Sequence, residues 1–208
     1  MTDYDALLQT LALTAGTAWA SGINLYATIA ALGIAGSTGY VELPPGLAVV
    51  QDPLIILIAG SMYCVEFLAD KIPGVDTAWD AMHTFIRIPA GALMAAGAIG
   101  DVTPALSVGA ALLGGSVTAV THATKAGSRA LINTSPEPFT NITASVTEDV
   151  AVFGGLWLAL KQPFAFAIAF GLFLLALMWV LPRLWRGICI LYKKLGRWLG
   201  MLPPASDV

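Results

Sequence analysis

Eleven side chains in this sequence have the type and placement to do chemistry, and ten of them lie in two short stretches. The first, EFLADKIPGVDTAWDAMHTFIR over residues 66–87, holds Glu66, Asp70, Asp76, Asp80, His83 and Arg87; the second, residues 121–149, holds His122, Arg129, Glu148 and Asp149. The eleventh, Asn24, stands in an otherwise apolar run. Glu66, Glu148 and Asp149 are of the type that couples transport to protons. Two adjacent carboxyls favour one of them keeping its proton near neutral pH. Arg87 and Arg129 can grip a phosphate or carboxylate through paired N–H donors. His122 can shuttle a proton, and Asn24 can serve as a polar ligand or as glue between helices. Asp76, Asp80, His83 and Arg87 recur at helical spacing on one face. With Asp70, the first three form an oxygen-rich set that suits Mg²⁺ better than zinc, because no cysteine or second histidine stands nearby. Plainer readings stand beside these. Glu66 can pair with Lys71 or Arg87, Glu148 and Asp149 with Lys125 or Arg129, and the 76–87 face can simply be solvated.

The surroundings make such residues costly. Only 11% of the 208 residues are charged while 57% are hydrophobic, and the mean hydropathy is +0.79. Too little charge remains to cover a soluble domain. Several windows of about 20 apolar residues can each cross a hydrocarbon core roughly 30 Å thick. No period-two alternation marks a β-barrel. The class is therefore all-α, a polytopic membrane helical bundle. No basic run interleaved with aromatics suggests nucleic acid. Cys64 and Cys189 sit in or beside apolar segments and read as core residues. The start, MTDYDALLQ, lacks the basic region of a secretory signal.

In chain order, residues 5–37 form a long first span, either broken near Ser21–Asn24 or running as one tilted helix. Residues 37–52 are a loop rich in proline and glycine. A second span opens at Pro53 and ends near Asp70. A short interfacial or re-entrant helix follows over 76–86, with Trp79, Met82 and Ile86 on its apolar side. Further spans are expected at about 88–100, 104–123, 141–160 and 164–182, with a polar loop over 124–140. Residues 1–182 are thus the transmembrane domain. Residues 183–208 form a basic amphipathic helix and tail that suit an anionic lipid surface.

Six spans place both termini on one side. Nine of the ten basic residues then face the cytoplasm, leaving Lys161 outside. The fragment Ala35-Gly36-Ser37 recurs as Ala126-Gly127-Ser128, each followed by a double-proline feature (Pro44-Pro45 and Pro136-Glu137-Pro138). Three spans per half, over 1–100 and 104–182, would make an inverted repeat of the kind found in secondary transporters.

The segments SGINLY (21–26), 66–93 and 121–149 resemble a bacterial multi-span membrane family, domain-of-unknown-function family 4126. The resemblance covers nearly the whole chain except the tail. It implies a bacterial inner (cytoplasmic) membrane and brings no catalytic role. Ala126-Gly127-Ser128-Arg129 is also similar to the PG-x-SR-S loop of undecaprenyl-diphosphate phosphatases, but alanines replace two of its residues and no E-x-x-x-E pair stands out.

The sequence leads to a transporter or flippase of a small or lipid-linked anionic solute, proton-coupled, with Glu66, Glu148 and Asp149 coupling and Asn24, Arg87, His122 and Arg129 binding. It needs no cofactor, touches membrane lipid, and has room for a homo-oligomer. Two alternatives stay open. One is a Mg²⁺-dependent enzyme on lipid head groups, using Asp70, Asp76, Asp80 and His83, though no H-E-x-x-H, G-x-S-x-G or P-loop is present. The other is a scaffold that transports nothing.

Overall fold

The computed structural model describes residues 3–72, 74–134 and 138–198. Among these there are seven α-helices, one 3-10 helix and no strands: α1 Asp3–Ile23, α2 Leu25–Ser37, the 3-10 helix Pro45–Gln51, α3 Pro53–Ala69, α4 Val75–Ala98, α5 Pro104–Ile132, α6 Pro138–Lys161 and α7 Pro163–Trp198. Proline opens α3, α5, α6 and α7, where its fixed φ suits the first turn and its missing N–H goes unneeded. The tight turns on either side of α4 use Gly74 and Gly100 at φ +85° and +83°, a region that favours glycine. Three helices (α5, α6, α7) are long and apolar enough to cross a membrane. A fourth crossing is reached by joining the 3-10 helix to α3 across a 68° bend.

Polarity is turned inside out. Leu93, Leu113 and Met178 are 73%, 73% and 74% exposed, whereas Glu66, Arg87 and Arg129 are 0% exposed. Apolar residues outside and charges inside are the arrangement a lipid solvent demands. α4 carries Asp76, Asp80, His83 and Arg87 on its buried face, which is why composition alone does not mark it as a span.

The first apolar stretch does not run through the bundle. Leu13 packs in one core cluster with Leu160, and a Cβ at Gly16 would lie 2.8 Å from that of Ala159. α1 therefore starts at the α6 end that carries Lys161. Its other end, at Ile23, meets Lys125 in the interior. α2 then returns, and just past it the Tyr40 carbonyl accepts from Lys161 Nζ at 2.9 Å. Asn24 is the tip of a re-entrant pair.

Several expectations are corrected by this arrangement. Residues 5–37 are not one straight helix but two that fold back on each other, and three helices, or four with the bent pair, are apolar enough to cross where six spans were expected. The described ends, Asp3 and Trp198, lie at opposite ends of the bundle, not on one side. Residues 76–86 are no separate interfacial helix. They are the first half of α4, which continues through Pro89, and their polar face points inward. The expected loop over 124–140 is largely the end of α5, which runs to Ile132. Residues 183–198 continue α7 through Pro182 and pack on α5, with Ile188 against Gly127 and Leu131 against Gly187. Ala35–Ser37 closes α2 while Ala126–Ser128 lies inside α5, so the two fragments are not equivalent. The double-proline feature at Pro136 and Glu137, and the tail beyond Trp198, lie outside the described residues.

Close helix approach depends on small residues. A Cβ at Gly91 of α4 would fall 2.1 Å from Thr118 Oγ1 of α5, and one at Gly22 of α1 would fall 2.7 Å from the Thr118 carbonyl. Thr118 Oγ1 itself donates to the Ala18 carbonyl at 2.8 Å. Small residues let α1, α4 and α5 meet at backbone distance. Gly91→Ala should therefore destabilise the protein by about 1–3 kcal/mol, read as a lower thermal unfolding midpoint in detergent. An unchanged midpoint would contradict this contact.

Candidate functional site

The break at Asn24 is locally encoded. In a continuous helix the Ala27 N–H would donate to the Ile23 carbonyl. Instead Asn24 Oδ1 accepts from Ala27 N at 2.9 Å, as an N-cap, and the freed Ile23 carbonyl accepts from Lys125 Nζ at 3.0 Å. The asparagine thus starts α2, and a lysine from α5 finishes α1. The Lys125 cation suits the C-terminus of α1, and Asn24 Nδ2 reaches Asp149 Oδ1 at 3.4 Å beside the N-terminus of α2.

Lys125 is the hub. Besides Ile23, its ammonium donates to Asp70 Oδ2 at 3.1 Å and Glu66 Oε1 at 3.2 Å. Glu148 Oε2 and Asp80 Oδ1 follow at 3.5 and 3.8 Å. Arg87 donates to Glu66 Oε1 and Asp80 Oδ1. Arg129 grips Glu148 with two bonds of 3.1 and 2.7 Å, and its Nη1 donates to Asn141 Oδ1 and to the carbonyls of Asn141 and Asp70. Four carboxylates and three cations from α3, α4, α5 and α6, with Asp70 in the turn after α3, so make one closed network.

The histidines are structural partners. Arg87 can only donate, so His122 Nδ1 accepts from it at 3.2 Å, and Nε2–H donates toward Thr84 Oγ1 at 2.8 Å. His83 Nδ1–H donates to the Trp79 carbonyl at 2.8 Å, and Nε2 hydrogen-bonds with the Tyr26 hydroxyl at 3.1 Å. Trp79 stacks on the same ring at 4.2 Å.

Asn24, Glu66, Asp70, Asp80, Arg87, His122, Arg129, Glu148 and Asp149 are brought together. Asp76 and His83 are not. Asp76 Oδ1 accepts from the Gly74 and Thr77 amides and from Asn133 Nδ2 at the start of α4, and His83 holds Tyr26. The four residues read as a Mg²⁺ set therefore go to three different places, and among the described residues no group of three His, Cys, Asp or Glu is placed to hold a metal ion. Both arginines are paired with carboxylates in this structure, Arg87 with Glu66 and Asp80 and Arg129 with Glu148.

Sequence reasoning treated Lys125 as a mere counter-charge and passed over Tyr26 and Asn141. His122, Lys125 and Arg129 follow at i, i+3 and i+7, one helical face, and that spacing could have identified Lys125. Nothing in the sequence signalled that Asn141 would cap Arg129.

Glu148 is the network's accessible edge, its side chain 20% exposed. It borders a mostly apolar cavity of about 220 Å³ between α1, α5, α6 and α7 that is also lined by Ile23, Thr121, Lys125, Thr147 and Phe173.

Lys125→Met would leave four buried carboxylates without their shared cation. Breaking a buried pair by removing one partner costs about 3–5 kcal/mol, and unfolding in mild detergent should show a loss of that size. A loss below about 1 kcal/mol, the worth of an exposed pair, would contradict the hub.

Neither the curated proteins nor the solved structures contain a match to this chain. The family model described as Domain of unknown function (DUF4126) matches residues 11–183, which take in α1 from its second half, all of α2 and every residue of the network. The chain belongs to the DUF4126 family.

Proposed function

We propose that this protein is a membrane transporter or flippase for a small or lipid-linked anionic solute, driven by protons. The observation that carries the reading is the discontinuous α1–α2 pair, whose tip is held by a charge network with one edge, at Glu148 and Lys125, open to a small cavity. Broken helices at membrane depth are tolerated where they are buried in protein or line a cavity, and they are a recurring way to build solute sites. Stability alone does not account for such a network. Replacing a buried ion-pair cluster by well-packed apolar side chains is often neutral or stabilising.

In this reading Glu148 is a built-in stand-in for the solute. Its carboxylate occupies the bidentate site on Arg129 and lies against Lys125, beside the cavity. Protonating Glu148 weakens its hold on Arg129 Nε and Nη2 and turns those donors toward an incoming phosphate or carboxylate. Arg87 and His122 work from behind, fixing Glu66 and Asp80 rather than meeting the solute.

The membrane is a bacterial inner membrane, crossed by α3 to α7 with α1–α2 re-entering from the side opposite the C-terminal helix. Arg87, Lys125 and Arg129 are buried and cease to count as loop charges. Those that remain are Lys71, Arg183, Arg186, Lys193, Lys194 and Arg197 at one end and Lys161 at the other. The positive-inside rule puts the C-terminal end of α7 in the cytoplasm, where its basic residues meet anionic lipid.

Tracer flux in proteoliposomes tests the proposal, with inorganic phosphate, small carboxylates and lipid-linked phosphates as probes. At least one should move faster under a pH gradient, and Glu148→Gln should lower that flux tenfold or more. Flux indifferent to the gradient would remove proton coupling. No flux of any probe by folded protein would contradict the transporter reading.

A further inference from the structure

We propose that Asp149 holds a coupling proton and is a neutral carboxylic acid in this structure. The inference rests on the transporter reading and adds Asp149 to Glu148 as a second carboxyl that takes a proton. Its own support is charge balance and contact geometry, so it can fail independently of that reading.

Five carboxylates gather around the tip: Glu66, Asp70, Asp80, Glu148 and Asp149. Four cations face them, namely Arg87, Lys125 and Arg129, together with Lys71 from the turn after α3. His122 accepts from Arg87 at Nδ1 and so adds no charge, while Asp76, held by the amides opening α4, and His83, held by Trp79 and Tyr26, lie apart from the cluster. One negative charge is therefore in surplus inside a low-dielectric region, where an unmatched ion is expensive.

The contacts point to which group gives up its charge. Glu66, Asp70, Asp80 and Glu148 each have a basic nitrogen within 4 Å. Among the described residues, Asp149 alone of the five has none. The polar side chains that reach it are uncharged: the Asn24 amide at 3.4 Å from Oδ1, and the Tyr63 hydroxyl as a hydrogen-bonding neighbour. The groups that face it are Asp70 and Lys71 after α3, Tyr63 on α3, Lys125 on α5 and Glu148 on α6. Both cations are engaged elsewhere. Lys71 Nζ donates to the Phe67 carbonyl at 2.9 Å and lies over the Phe67 ring, and Lys125 serves Ile23, Glu66 and Asp70. A proton on Asp149 brings the cluster to zero net charge. A metal ion fits less well, because Lys125 already occupies the point where the carboxylates converge.

Asp149 is also placed to pass its state on. Asn24 links it directly to the α2 cap, since one amide carries both the Oδ1 bond to Ala27 and the Nδ2 contact to Asp149. Losing the proton creates a carboxylate that pulls on Asn24 and competes for Lys125, the two groups that hold the halves of the broken pair.

Infrared difference spectroscopy of the full-length protein in liposomes, stepped between neutral and alkaline pH, tests the assignment. The wild type should show one shielded, protonated carboxyl stretch that disappears on alkalinisation. Asp149→Asn should lack it at every pH, and Asp149→Glu, which keeps a carboxyl and covers the case where the asparagine variant does not fold, should shift it. A band unmoved by either substitution, no band at all, or a band abolished by adding Na⁺ at constant pH would overturn the proposal. An intact band without solute flux would instead count against the transporter reading alone.

Discussion

A lysine ammonium inside a membrane protein is untenable without acceptors, and the rest of this structure is arranged around supplying them to Lys125. Three come from different places: a backbone carbonyl freed by a helix break, a glutamate on α3, and an aspartate just beyond it. The first ties the break to the charge cluster. Without Lys125 the Ile23 carbonyl would be an unsatisfied buried acceptor, costing about 1–3 kcal/mol. Without the break that carbonyl would not be available. Discontinuity and charge therefore require one another, and neither is explained by packing alone.

The remaining architecture holds that point in place from two sides. Gly22, Gly91 and Thr118 bring α1, α4 and α5 to backbone distance, so that Arg87 and His122 meet Asp80 and Glu66 without water between them. On the other side α6 brings Glu148 to Arg129 and Asp149 to Asn24. That side is the more yielding one, with Glu148 at a cavity and Asp149 only partly buried. A transition between two states would start there, and the α4 side would serve as the fixed frame.

Much of this was legible in the residues. Charges in an apolar chain have to converge, and the two stretches singled out by that argument do meet. A break near Asn24 was one of two readings, and the asparagine's capping chemistry decided for it. What the sequence could not convey was direction. A polar break is consistent with a kinked traverse or with a hairpin, and only the packing of Gly16 on Ala159 and of Tyr40 on Lys161 distinguishes them. That choice changes the number of crossings and the side on which α1 begins. The helix face of Asp76, Asp80, His83 and Arg87 was read correctly as a face but assigned to water, because a lone amphipathic helix is ordinarily an interfacial one. Here the partners on α3 and α5 that turn it inward are some 20 to 40 residues away in the chain, beyond any local pattern.

The central claim is that the buried charges act as one unit through Lys125, and a double-mutant cycle between members that do not touch tests it most directly. Glu66 contacts Arg87 and Lys125, while Arg129 contacts Glu148 and Asp70; the two are joined only through the network. Unfolding free energies of Glu66→Gln, Arg129→Gln and the double variant should depart from additivity by more than 1 kcal/mol, because each substitution shifts the charge the other must balance. Additivity within about 0.5 kcal/mol, as found for independent sites, would show separate ion pairs in place of a single network.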